Sequence, residues 1–130
     1  MMNRRWLLGS LFAATLSTLA PLAQALETQP YTAQALAAAQ QAGQPVALHF
    51  HADWCPTCRQ QTTVLNQLKA DPALKLTVLV VNYDNEKDLR KALQVRTQST
   101  VIVYKGATEK ARIAGETAPD KIRAALQAAL

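Results

Sequence analysis

Apolar and polar positions fall in blocks whose period changes along the chain. Residues 32–42 are rich in Ala, Leu and Gln, all good helix formers, and Gly43 followed by Pro45 supplies a stop. Val46, Leu48 and Phe50 recur at every second position over 46–51, the period of a strand. Ala52-Asp53-Trp54 reads as a turn. Pro56 suits the first position of a helix, where its missing N–H costs nothing. Val64, Leu65 and Leu68 give that helix one apolar face, and Asp71-Pro72 ends it. Residues 74–81 are strongly apolar and predict a buried central strand. A turn over 82–85 leads to a short helix over 86–93. Residues 100–104 are β-branched and aromatic and predict a strand. Gly106 turns the chain, and 110–114 are expected to pair back as a hairpin. Pro119 opens a last helix through Leu130, with Ile122 and Leu126 on one face. Residues 26–31, polar with Pro30, predict a loose start or a very short strand.

The order is helix, strand, helix, strand, helix, strand, strand, helix. It predicts an α/β domain with a central mixed sheet of four to five strands and helices on both faces. Strands joined through helices are expected to be parallel with right-handed crossovers, and the closing hairpin antiparallel. No internal repeat or low-complexity linker interrupts the pattern.

The 130 residues suffice for one compact domain. With 49% apolar and 18% charged residues the chain is globular in composition, which excludes a disordered segment. The N-terminus changes the picture. Asn3, Arg4 and Arg5 form a positive patch, Trp6 to Leu19 is apolar, and Ala23-Gln24-Ala25 is a small-x-small cleavage pattern. Residues 1–25 are therefore expected to be a signal peptide, and 26–130 a domain exported to the periplasm or secreted. Cleavage after Ala25 leaves 130 − 25 = 105 residues. The alternative, an uncleaved anchor, meets an apolar stretch short of the ~20 residues a bilayer span needs. Asn3-Arg4-Arg5-Trp6-Leu7-Leu8 also partly resembles a twin-arginine signal. The formal charge of +5 loses Arg4 and Arg5 on cleavage, so 14 − 2 = 12 basic residues face 9 acidic ones, or +3. Those charges alternate without a basic block, which excludes a nucleic-acid footprint.

Two cysteines remain, Cys55 and Cys58, within Trp54-Cys55-Pro56-Thr57-Cys58. A bridge closing so small a loop restricts the unfolded chain little, so it is a poor structural staple. Placed between a strand and a helix, the pair has a chemical use. The first turn of a helix carries unpaired N–H groups and partial positive charge, which stabilise a thiolate. Cys55 is expected to be the more exposed, activated nucleophile and Cys58 the more buried resolving thiol. The rival reading is a copper or zinc carrier. His49 and His51 share a strand face, and His51, Cys55 and Cys58 would form its ligand set, with His49 as a further candidate.

His51-Ala52-Asp53-Trp54-Cys55-Pro56-Thr57-Cys58, Asn82-Tyr83-Asp84, Val95-Arg96, Thr100, Lys105-Gly106 and Gly115 together resemble the thioredoxin family over nearly the whole mature chain. The resemblance implies a thioredoxin fold and a redox-active disulfide Cys55–Cys58 acting on disulfide-containing proteins, without a cofactor. It also implies a membrane-embedded thiol partner for exported members, and a docking surface involving Trp54, Pro56, Ser99 and Thr100. A monomer is expected. The sequence departs from the family pattern at four places. His49 stands where a buried Asp is usual. An imidazole near its ordinary pKa of about 6.5 would serve as proton acceptor there, or else be a hydrogen-bonded core histidine. Val80 replaces a Lys, and Ser99 replaces a cis-proline. A non-proline cis bond costs ~2.5–4 kcal/mol, so the loop at Ser99 is expected to be trans. The Ser99 hydroxyl is then free to bond a sulfur or a substrate backbone. Pro56-Thr57 replaces the usual pair between the cysteines, adds no positive charge, and favours a reductase over a strong oxidant.

Overall fold

The computed structural model describes residues 25–130. The expected leader therefore lies outside the described residues, apart from Ala25. The described elements are β1 (Leu26–Pro30), α1 (Ala33–Gln41), β2 (Pro45–His51), α2 (Pro56–Leu68), β3 (Leu76–Asn82), α3 (Lys87–Ala92), β4 (Thr100–Lys105), β5 (Thr108–Ala114) and α4 (Pro119–Gln127). The strands form one five-stranded sheet in the order β1-β3-β2-β4-β5. The loose start is a true strand. Leu26 is buried opposite Leu76, and β1 runs parallel to β3 along the sheet's margin.

One expectation about direction fails. β2 and β3 are parallel, but β4 runs antiparallel to β2 although a helix precedes it. The six residues of α3 span ~9 Å, whereas the seven of β3 span ~23 Å, so α3 cannot carry the chain back to the sheet's starting end. The chain re-enters where it left. Thr100 therefore lies opposite Phe50, and Ser99 arrives at the end of β2.

Alternation along the strands divides the core. Ala47, Val78, Val101 and Val103 face α2 and α4, meeting Val64, Leu65, Ile122 and Leu126. Val46, Leu48, Phe50, Leu79 and Ile102 pack on the other face with Leu36 of α1 and Leu89 of α3. His49 shares the α2 side by its odd register. Thr32 caps α1 by accepting from the Ala35 N–H at 3.0 Å. Among the described residues no helix is long and apolar enough to cross a membrane.

Candidate active site

β2 ends at His51, the chain turns, and Cys55 becomes the N-cap of α2 with extended backbone angles (φ −91°, ψ 112°). Pro56 fills the first turn, as its fixed φ and missing N–H allow. The Cys55 sulfur accepts the Cys58 N–H at 3.2 Å, in the way a capping oxygen would. Both cysteines are free thiols. The expected openness is not seen: both are buried, Cys55 2% exposed and Cys58 0%. Tyr83, just beyond β3, packs against the pair together with Ala52.

Ser99 completes the centre. Its Oγ lies 3.2 Å from Cys55 Sγ and 3.1 Å from Cys58 Sγ. No peptide bond among the described residues is cis. Ser99 instead adopts φ +63°, a left-handed conformation that costs a side-chain-bearing residue ~1–2 kcal/mol. Three hydrogen bonds hold it there. Its N–H donates to Phe50 O at 2.9 Å, and its carbonyl accepts from Gly115 N at 3.0 Å and Gln61 Nε2 at 2.9 Å. Gly115, at φ +70°, occupies the same left-handed region without that cost.

These contacts split the two thiols. Burial pushes the Cys55 thiol up, but hydrogen bonds from the Cys58 thiol, the Ser99 hydroxyl and the Cys58 and Thr57 N–H groups outweigh it and hold Cys55 below the ordinary value. Burial pushes the Cys58 thiol up, and the hydrogen bond it gives Cys55 adds to this, while Ser99 opposes. One sulfur is thus poised to ionise and the other to keep its proton.

A second layer lies one helical turn inward. Gln61 is fully buried, and its Nε2 donates to Ser99 O and to Glu116 O, both at 2.9 Å. Two carbonyl acceptors fix the amide, so Oε1 faces His49 Nε2 at 2.9 Å and must accept from it. His49 is therefore the Nε2–H tautomer, with Nδ1 buried and unpartnered among the described residues. Burial pushes its pKa down to about 4, against the opposing Gln61 bond, with His51 pushing in the same direction as burial. Of the two roles expected of His49, the hydrogen bond to Gln61 and the lowered pKa fit the hydrogen-bonded core histidine, a ring neutral at pH 7.

The model of the family described as Thioredoxin matches residues 26–128. The chain belongs to the thioredoxin family. It is 34% identical over 71 residues to a chloroplastic M-type thioredoxin of Zea mays, covering 55% of this chain and 42% of that one. It is 35% identical over 71 residues to a thiol:disulfide interchange protein TxlA homolog of Synechocystis, covering 55% and 39%. The chain thus spans less than half the length of those two relatives. The solved structure of Trxlp from Edwardsiella tarda shares 39% identity and a TM-score of 0.71, covering 78% of this chain and 97% of that one. The five-stranded mixed sheet with its four helices is accordingly the thioredoxin fold.

Within this thioredoxin frame the remaining residues separate. Trp54 is 58% exposed beside the pair, and its Nε1 donates to Asp84 Oδ2 at 2.8 Å. Pro56 is exposed as well. Thr100 is buried, and its hydroxyl donates to Thr97 O at 2.8 Å, closing its own loop. The rings of His49 and His51 share a face with centroids 5.5 Å apart. His51, however, turns Nε2 to Asp53 Oδ1 at 3.0 Å. No three His, Cys, Asp or Glu side chains converge among the described residues. Sequence reasoning passed over Gln61. Its only signal was a polar residue three after Cys58 on the face that continues with Val64 and Leu65.

Proposed function

We propose that this chain is an exported thiol–disulfide oxidoreductase that reduces protein disulfides through Cys55 and Cys58. The observation that carries the reading is the Cys55 sulfur at the α2 N-cap, receiving the Cys58 N–H while Cys58 keeps its proton. The Cys55 thiolate attacks one sulfur of a substrate disulfide and forms a mixed disulfide, releasing the first substrate thiolate. Cys58 then attacks Cys55 Sγ, forming the Cys55–Cys58 disulfide and releasing the second. The two electrons come from the dithiol, and its two protons end on the two substrate thiols. The name of the Synechocystis relative, a thiol:disulfide interchange protein, supports the same chemistry.

No cofactor enters. Residues 1–25 act as a signal peptide, and the mature monomer is recharged in the periplasm by a membrane-embedded thiol partner. The exposed Trp54 and Pro56 frame the approach to the pair. The test is reduction of insulin by the dithiol form after metal removal, which Cys55→Ser abolishes. A reduction potential well below about −230 mV marks a reductant; one near −120 mV reverses the direction.

A further inference from the structure

We propose that Ser99 is a catalytic residue whose hydroxyl donates in turn to whichever of the two sulfurs carries the negative charge. This rests on the dithiol exchange proposed above. The Ser99 oxygen stands 3.2 Å from one sulfur and 3.1 Å from the other. A hydroxyl holds a single proton on a free rotor, so it can serve either sulfur but only one at a time. Among the described residues it is the only side-chain oxygen or nitrogen hydrogen-bonded to either sulfur; the other contacts are between the two thiols themselves and from backbone groups, among them the Cys58 N–H to Cys55 and Phe50 O near Cys58 at 3.9 Å.

The reaction needs such a donor twice. During attack on the substrate the charge sits on Cys55 Sγ, and the Ser99 O–H points there. Once the mixed disulfide has formed, Cys55 is neutral and Cys58 must ionise to close the ring. The same O–H, turned by rotation about Cβ–Oγ, then stabilises the Cys58 thiolate. The Cys58 thiol proton ends on the departing substrate thiolate, so the hydroxyl itself gains and loses nothing.

The backbone keeps the loop still while the rotor turns. Ser99 N–H, held by Phe50 O, and Ser99 C=O, held by Gly115 and Gln61, leave only the side chain free. A left-handed φ suits glycine, so a serine here bears strain that glycine would not. The surrounding titratable and charged groups are otherwise engaged. On β2, His49 bonds Gln61 and His51 meets Asp53. On α2, Arg59 donates to Asp53 O. Tyr83 donates to Arg96 O, and Glu116 accepts from Thr117 and Ala118 N–H.

Ser99→Gly removes the hydroxyl and relaxes the backbone, so backbone strain contributes nothing to its phenotype; Ser99→Ala removes the hydroxyl and keeps the strain. Both are expected to raise the Cys55 pKa, read from thiolate absorbance, by about one unit, a tenfold fall in thiolate below that pH. Both are also expected to slow ring closure by about tenfold. That step is read as release of thionitrobenzoate from its mixed disulfide with Cys55. An unchanged pKa in either variant overturns the proposal, as does an effect in Ala that Gly lacks. A raised pKa with unaltered ring closure also overturns it, because the hydroxyl then serves one sulfur only. The thiolate titration needs no substrate. Failure of the unaltered protein to reduce insulin would therefore count against the proposed function alone.

Discussion

Gln61→Leu removes the joint between the redox loop and the core. The amide makes three hydrogen bonds of 2.9 Å, to Ser99 O, Glu116 O and His49 Nε2. Ser99 O keeps the Gly115 N–H and loses least. His49 Nε2–H, which is buried, and Glu116 O, which is half-buried, lose their partner. Each orphaned buried group costs ~1–3 kcal/mol. Leu returns roughly 1–2 kcal/mol through apolar burial in a similar volume. The expected net loss is about 2 kcal/mol. Urea unfolding of the reduced protein reads it: with a slope of ~1–3 kcal/mol per molar, the midpoint falls by roughly 1–2 M and the slope holds. His49→Leu alone orphans Gln61 Oε1, but with both partners apolar the penalty is shared. The double variant is therefore expected to be about 1–2 kcal/mol more stable than the sum of the singles. A single-variant loss under ~1 kcal/mol, or strict additivity in the cycle, would refute the claim that this amide ties the network together.

Three further outcomes follow from the same contacts. The unfolded His49 imidazole takes a proton near 6.5 and the folded one only near about 4. Stability is therefore full above 6.5 and drains as pH falls toward 4, by roughly 3 kcal/mol in all. His49→Leu should flatten that stretch of a stability-against-pH curve, and a curve of unchanged slope would contradict the assignment. Gly115→Ala meets open space, since nothing lies within 4 Å of its added Cβ, so only the φ of +70° is at issue. Its expected cost in urea is ~1–2 kcal/mol, and a neutral result would mean the turn relaxes freely. Asp84→Ala releases the indole N–H held at 2.8 Å, so the fluorescence anisotropy of Trp54, measured after removal of the Trp6 segment, should fall. No change would show that packing, not this bond, fixes the ring.

Much of the fold was readable because most elements announce themselves by period. The alternation at Val46, Leu48 and Phe50 is observed as β2, and Pro56 does open α2. The site was half readable. The position of Ser99 beside the sulfurs followed from where the thioredoxin pattern puts a proline. β1 was underread because, as a marginal strand, it buries only Leu26 completely. The direction of β4 was misread, since a strand's residues carry no sign of heading, and only the shortness of α3 decides it. The covering of Cys55 was invisible for another reason. Tyr83, which packs against the pair, comes from beyond β3, and no local pattern reports what distant loops bring to one point. Gln61 went unnoticed because a single amide on a helix reads as solvated until its partners are known.

Both margins of the sheet are built to refuse company. β5 carries Glu109, Lys110 and Arg112 along a largely exposed strand, and β1 is only five residues long and ends at Pro30. Charges and a missing donor are what keep free strand margins from recruiting another chain. An extended segment of another chain therefore finds no ready template to zip onto along either flank.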